Sequence, residues 1–271
     1  AGRLGHGASA VAAVVVIDMD DGNSRDRSRA AAEAAGAQVR NERLQGKGAV
    51  VRRMFADIDA DVYVLADGDA TYDASAAPIM VRRLLEEQLD MVVGARASEV
   101  DAAYRRGHVL GNRMLTGLLA WMFGRSFSDI LSGYRVFSRR FVKSFPALSQ
   151  GFEIETEISV HALELKMPVA ELRTVYGARP EGSVSKLNTY RDGWRIVRTM
   201  LSLFRVERPF TFFGLISALL ALLALVLAAP LLTTYLATGL VPRLPTAVLV
   251  TGLAIVATIS LFTGLILDTV T

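Results

Sequence analysis

The 271-residue chain contains no cysteine, which excludes a disulfide framework and any thiolate metal site. Histidine is scarce, at three residues, and none falls in a His-Glu-x-x-His pattern. No Gly-x-Ser-x-Gly elbow is present to raise a nucleophilic serine, and no complete phosphate-loop pattern, which argues against an ATPase. Neither sign of charge dominates: 30 Lys and Arg stand against 27 Asp and Glu, a net of +3. The basic residues, nearly all arginine, are interspersed with acids. That is not a nucleic-acid footprint, and no nucleic-acid partner is expected. Internal repeats and low-complexity linkers are also missing.

Charge disappears entirely from Pro209 to Leu232 and again from Thr246 to Leu267. Each run would be about 33–36 Å long as a helix, enough to cross a hydrocarbon layer of about 30 Å. A soluble core helix rarely stays apolar on every face for that length. Gly214, Pro230, Gly252 and Gly264 do not oppose this reading, because membrane helices tolerate them. Arg191, Arg195, Arg198, Arg205 and Arg208 crowd the approach to the first run, whereas only Arg243 lies between the two. The positive-inside rule then places the large N-terminal part in the cytoplasm. The first run begins too late to be a cleaved leader.

Upstream, strands alternate with helices. An apolar, β-branched run at Val11–Ile17 ends in the acidic turn Asp18 to Ser24. A helix over Asp26–Ala35, stopped by Gly36, and a strand at Ala37–Arg40 follow. Gln45-Gly46-Lys47-Gly48 precedes a helix at Ala49–Ile58, and a strand at Asp61–Ala66 ends in Asp67-Gly68-Asp69. A helix at Ala76–Glu87 and a strand at Asp90–Gly94 complete this part. The spacing predicts an α/β domain with a mainly parallel sheet and ligands at the carboxyl ends of its strands. Further expected elements are a helix near Leu110–Phe123, a strand at Gly133–Phe137, a helix at Ile154–Leu165 and a strand at Val169–Thr174. Tyr190 to Phe204 is arginine-rich on one side and apolar on the other, which suits a helix lying in a membrane interface.

The acidic clusters fall at the predicted strand ends. Asp67 and Asp69 flank a glycine, so both carboxylates can face one point while a ligand approaches the backbone. A hard cation, Mg²⁺ or Mn²⁺, takes one or two carboxylates and completes its shell with diphosphate oxygens. Asp-Gly pairs also mark ordinary turns, so the triplet gains meaning from its company. Asp21, at an earlier strand end, could read a base or ribose, while Asp26 caps the next helix. Lys47, in a glycine-flanked turn before a helix, suits phosphate. Glu153, Glu157 and His161 share one helical face, a spacing better read as structural than as a metal site.

Taken in order, Asp-Gly-Asn-Ser-x-Asp at 21–26, Gln-Gly-Lys-Gly at 45–48, Asp-Gly-Asp at 67–69, Gly-Ala-Arg at 94–96 and Asp-x-x-Ser-Gly-Tyr-Arg at 129–135 resemble the family 2 glycosyltransferases. Arg179-Pro180-Glu181-Gly182-Ser183-Val184-Ser185-Lys186 is similar to the ending of the dolichol-phosphate mannose synthase and bacterial polyprenyl-phosphate glycosyltransferase branch. The resemblance covers roughly residues 14 to 268. It implies a Rossmann-like GT-A nucleotide-diphospho-sugar transferase domain over residues 1–188, an interfacial helix over 189–208 and a transmembrane hairpin over 209–268.

It further implies an integral enzyme of a bacterial inner membrane. That enzyme would move a hexose from a UDP-glucose or GDP-mannose type donor to a polyprenyl phosphate, with inversion and with metal assistance. Asp21, Lys47, Asp67 and Asp69 would bind the nucleotide-sugar, the last two through the metal. Asp69, Asp129 and Arg96 would be catalytic, and Arg96, Arg135, Arg179 and Lys186 would meet the acceptor phosphate. Glu155 or Glu157 gains a place near the acceptor, and self-association is favoured. Family members begin with a strand ending in a Pro-x-Tyr-Asn-Glu-like loop. This chain starts near the second strand, so a fragment or an incomplete nucleotide site is expected. Two rivals are a processive polysaccharide synthase, whose Gln-x-x-Arg-Trp motif is missing around Trp194, and an inactive membrane scaffold.

Overall fold

The computed structural model describes residues 15–19, 32–97, 106–124, 127–177 and 189–270. It divides into two compact units, residues 1–196 and 197–271. In the first, β1 (Val15–Met19) pairs in parallel with β2 (Gln38–Glu42). A second sheet contains β3 (Val62–Leu65), β4 (Met91–Ala97), β5 (Arg135–Ser138) and β6 (Val169–Val175), in the order β3-β5-β4-β6.

The expected parallel arrangement holds for β1–β2 and β4–β6, but β5 runs antiparallel to both of its neighbours. The sheet is therefore mixed. Alternation and apolar runs mark a strand without marking its direction, so this reversal was not legible in the sequence. It has a functional consequence. Leu65, Arg135 and Val93 lie side by side in the register. The carboxyl ends of β3 and β4 thus share one edge of the sheet with the segment that enters β5.

The pleat explains the core. Met91, Val93 and Phe137 pack on one face with Val51 and Phe55 of α1 (Lys47–Asp57) and Ile154 and Ile158 of α5 (Ile154–Glu164). Val92 and Val136, the alternating neighbours, point to the other face with Met80 and Leu84 of α2 (Ala76–Glu86). Helices α3 (Arg106–Phe123) and α4 (Arg139–Ser144) complete the layers. Gly46 begins α1 at φ +122, where a side chain would also overlap the Gln150 carbonyl. Gly48 N–H donates to that carbonyl at 2.9 Å. Arg52 Nε donates to the Ala147 carbonyl at 2.8 Å. The start of α1 is thereby pinned against the segment leading into α5.

α6 (Thr189–Glu207) runs across the boundary between the units and buries Ile196, Met200 and Phe204 on one edge while Trp194 stays exposed. The second unit continues with α7 (Pro209–Thr238) and α8 (Leu244–Asp268). Both are long and apolar enough to cross a membrane, and both extend slightly beyond the uncharged runs. Their mutual contact uses small residues seven apart: Ser217 and Ala224 on α7, Ala257 and Gly264 on α8. A Cβ at Gly264 would lie 2.9 Å from that of Phe213 and 3.2 Å from the Pro209 carbonyl oxygen. Close backbone approach of this kind is how apolar helices gain packing without a hydrophobic driving force.

Candidate active site

The site is assembled at the shared edge of the sheet, where six chain segments meet. Lys47 enters from the first turn of α1. Its ammonium lies 2.5 Å from Asp67 Oδ1, just beyond β3, and 2.5 Å from Glu155 Oε1 in the first turn of α5. Burial by itself pulls the pKa of this lysine down. The carboxylates of Glu155 and Asp67 outweigh that and hold its pKa above the ordinary value. Gly133, entering β5, forms the floor. A Cβ there would stand 2.5 Å from Asp67 Oδ2 and 2.6 Å from Lys47 Nζ.

Asp69 is held differently. Thr71, itself buried, donates its hydroxyl to Asp69 Oδ1 at 2.5 Å and its N–H to the same oxygen at 3.3 Å. Between them Ala70 adopts φ +56, a left-handed conformation costing an alanine about 1–2 kcal/mol. Strain of this kind persists where surroundings over-determine the backbone. The carbonyl of Thr71 accepts from Gly177 N–H at 2.8 Å, fastening this loop to the exit of β6.

Arg96, near the end of β4, forms a two-pronged pair with Asp129: Nε to Oδ2 at 2.7 Å and a terminal nitrogen to Oδ1 at 2.8 Å. Asp129 is buried and Arg96 partly so. The guanidinium also sits over the Tyr176 ring, 5.5 Å from its centroid. Tyr72 meets Tyr176 edge-on and Tyr134 at a tilt, and its hydroxyl accepts from Gly133 N–H at 2.9 Å. Burial pushes the Tyr72 phenol up to about 12, against the pull of Arg96. Sequence reasoning did not single out Tyr72 or Tyr176. Their only signal was position, beside Asp-Gly-Asp and at a strand exit.

The sequence-predicted residues thus separate into groups. Lys47, Asp67, Asp69, Arg96 and Asp129 all reach this edge. Glu155 joins them through Lys47, whereas Glu157 turns away and accepts the backbone N–H groups of Leu148 and Ser149 at 2.8 and 2.7 Å. His161 meets Ser144 Oγ at 2.9 Å, and the structural reading of that helix face holds for both residues. Arg135 is fully buried. Its guanidinium donates to the Ser132 and Ile130 carbonyls at 2.9 and 2.7 Å and to Ser159 Oγ at 3.0 Å. Asp21, Arg179 and Lys186 lie outside the described residues.

Two half-buried carboxylates, Asp67 and Asp69, fit a divalent cation that shares its shell with a ligand's phosphates and water. Among the described residues there is no cluster of three or more acid, His or Cys side chains that could hold a metal alone.

The family model described as glycosyl transferase family 2 matches residues 13–145, which carry every segment of this edge except α5 and the exit of β6. Residues 13–145 are a glycosyl transferase family 2 domain. Over 184 residues it is 36% identical to glycosyltransferase AglJ of Haloferax volcanii, a match covering 67% of this chain and 60% of AglJ. The low-salt glycan biosynthesis hexosyltransferase Agl6 of the same organism is 30% identical over 202 residues, covering 71% of this chain and 47% of Agl6. The chain thus spans only about half to three-fifths of the length of these two relatives. Among solved structures, glucosyl-3-phosphoglycerate synthase of Mycobacterium tuberculosis, in complex with Mn²⁺, UDP-glucose and phosphoglyceric acid, superposes with a TM-score of 0.54. That match is 23% identical and covers 70% of this chain and 68% of the synthase. At this identity the likeness establishes a shared GT-A fold.

Proposed function

We propose that this chain transfers a hexose from a nucleotide-diphospho-sugar to a polyprenyl phosphate by inverting displacement. One observation carries the reading. A cation-ready carboxylate pair, Asp67 and Asp69, and the Arg96–Asp129 pair lie on one sheet edge of a family 2 domain whose chain continues into two membrane-length apolar helices. The Mn²⁺ and UDP-glucose bound by the fold neighbour support a cation-bound donor at the carboxylates. Of UDP-glucose and GDP-mannose type donors, that neighbour favours the first.

A divalent cation held by Asp67 and Asp69 would neutralise the charge of the departing diphosphate. Lys47, already bridging Asp67 and Glu155, keeps Asp67 in place and adds positive charge on the donor side. On the acceptor side Arg96 would take the lipid phosphate, with Arg179 and Lys186 from the sequence that follows β6. Asp129 orients the Arg96 guanidinium through both prongs. Arg135 supports the same turn from beneath by holding the Ile130 and Ser132 carbonyls. An acceptor phosphate is already largely ionised near neutral pH. Its oxygen can attack the anomeric carbon without a strong base, so positioning and electrostatic stabilisation supply most of the rate. Anchoring in a bilayer raises the local concentration of a lipid acceptor. The arginine-rich approach to α7 supports a cytoplasmic active site.

The test uses membranes carrying the full-length protein, a panel of labelled UDP- and GDP-hexoses, and undecaprenyl phosphate. Formation of an organic-extractable glycolipid is expected, with loss on chelation of divalent cations and in Asp69→Asn. Label found only in a long polymer, or no transfer from any donor, overturns the proposal.

A further inference from the structure

Helix α3 buries Leu119, Met122 and Phe123 against the domain and contacts α5. Its other side carries Met114, 67% exposed, then Gly117, then Trp121, 65% exposed. These positions, three and four residues apart, make one apolar stripe. Tryptophan is among the most buried residues on average, so a two-thirds exposed indole calls for an explanation. The sequence around the helix is basic. From Ala102 to Ser128 there is no acidic residue, while Arg105, Arg106, Arg113 and Arg125 all fall within the segment.

We propose that this face of α3 is a docking surface for an anionic bilayer, seated at the level of the lipid headgroups. The proposal rests on the membrane reading above and adds a second contact to it, on an element of the catalytic unit. An exposed tryptophan suits the interface between hydrocarbon and water, where its ring is apolar and its N–H remains wet. Arginines from this acid-free stretch of sequence would complement the negative surface of anionic lipids. Connectivity gives the contact a purpose. The chain leaves the active-site edge at Arg96 to enter α3 and returns to it at Asp129. Seating α3 on the headgroups would set the height of the Arg96–Asp129 pair relative to the lipid phosphates. The acceptor's reactive group would then be met at its own depth.

The chain has two tryptophans, so Trp194→Phe leaves Trp121 as the sole indole. The full-length variant is placed in nanodiscs of phosphatidylglycerol mixed with dibrominated phosphatidylcholine. Co-elution of protein with lipid tests the membrane reading by itself, independently of the emission. Given co-elution, Trp121 is expected to lose about half its emission relative to non-brominated discs and to be shielded from aqueous acrylamide. Ordinary acrylamide quenching without bromolipid quenching overturns the proposal. Resistance to both quenchers would mean that a second protein surface covers the helix, which also overturns it. Sugar transfer is not read in this measurement, so failure of the catalytic reading leaves its outcome intact.

Discussion

Lys47 Nζ lies 2.5 Å from Asp67 Oδ1, tying the first turn of α1 to the tip of β3 twenty residues later. Glu155 completes the bridge from the opposite side, nearly shielded from solvent. Removing one member of a buried ion pair leaves the other charged and unsolvated, a cost of about 3–5 kcal/mol. Lys47→Met is therefore expected to lower the thermal midpoint of the detergent-solubilised protein markedly. Adding Glu155→Gln to it should recover part of the loss. Strictly additive effects of the two substitutions would show that the residues do not act as a pair.

Two glycines at the site should respond oppositely to alanine. The Gly133→Ala methyl would press into Asp67 and Lys47, with an expected cost of about 1–3 kcal/mol in stability, accompanied by weaker donor binding. At Gly68 an added Cβ meets nothing within 4 Å. Gly68→Ala should leave the melting temperature unchanged while raising the KM for the nucleotide-sugar, because the methyl faces the space a ligand would use. Equal melting losses in both variants would contradict this placement.

Arg135 and Arg96 are separable by kinetics. Arg135→Met removes donors from the Ile130 and Ser132 carbonyls inside the domain, so reduced stability and yield are expected. The folded fraction should keep its KM for the lipid acceptor. Arg96→Lys retains charge but loses the two-pronged grip on Asp129, and is expected to raise that KM with a smaller effect on the melting temperature. A raised acceptor KM in a fully stable Arg135→Met would place Arg135 at the phosphate after all.

Much of this arrangement was legible in the residues themselves. Asp67 and Asp69 could be placed at a strand end because an apolar run, then acids around a glycine, has few other readings. Lys47 was visible as a glycine-flanked cation, but its partners were not. Glu155 approaches it only because α5 packs beside α1, a tertiary fact that sequence spacing does not carry. The same limit explains Arg135. Its motif neighbours suggest a phosphate contact, yet the pleat puts Arg135 on the same face as Phe137, covered by α5, where it donates to Ser159 Oγ. That burial depends on the packing of α5 over β5, which the motif does not carry.

His161 gives a pH signature distant from the site edge. Burial between Phe141 and Phe145 holds its pKa below the ordinary 6.5, with Glu157 pulling the other way. The unfolded chain therefore takes up this proton before the folded one on acidification. Its contribution to stability is complete above pH 6.5 and is lost as pH falls through the lower folded value. In His161→Phe the melting temperature should vary less with pH below 6.5. An unchanged profile would assign the acid sensitivity to other groups.

The most direct test of the carboxylate pair is Mn²⁺ binding followed by electron paramagnetic resonance, with and without UDP. With UDP present, the wild-type protein is expected to remove the free-ion signal in a saturable way, and Asp67→Asn/Asp69→Asn should leave it undiminished. Saturable binding by that double variant with wild-type affinity would place the cation elsewhere.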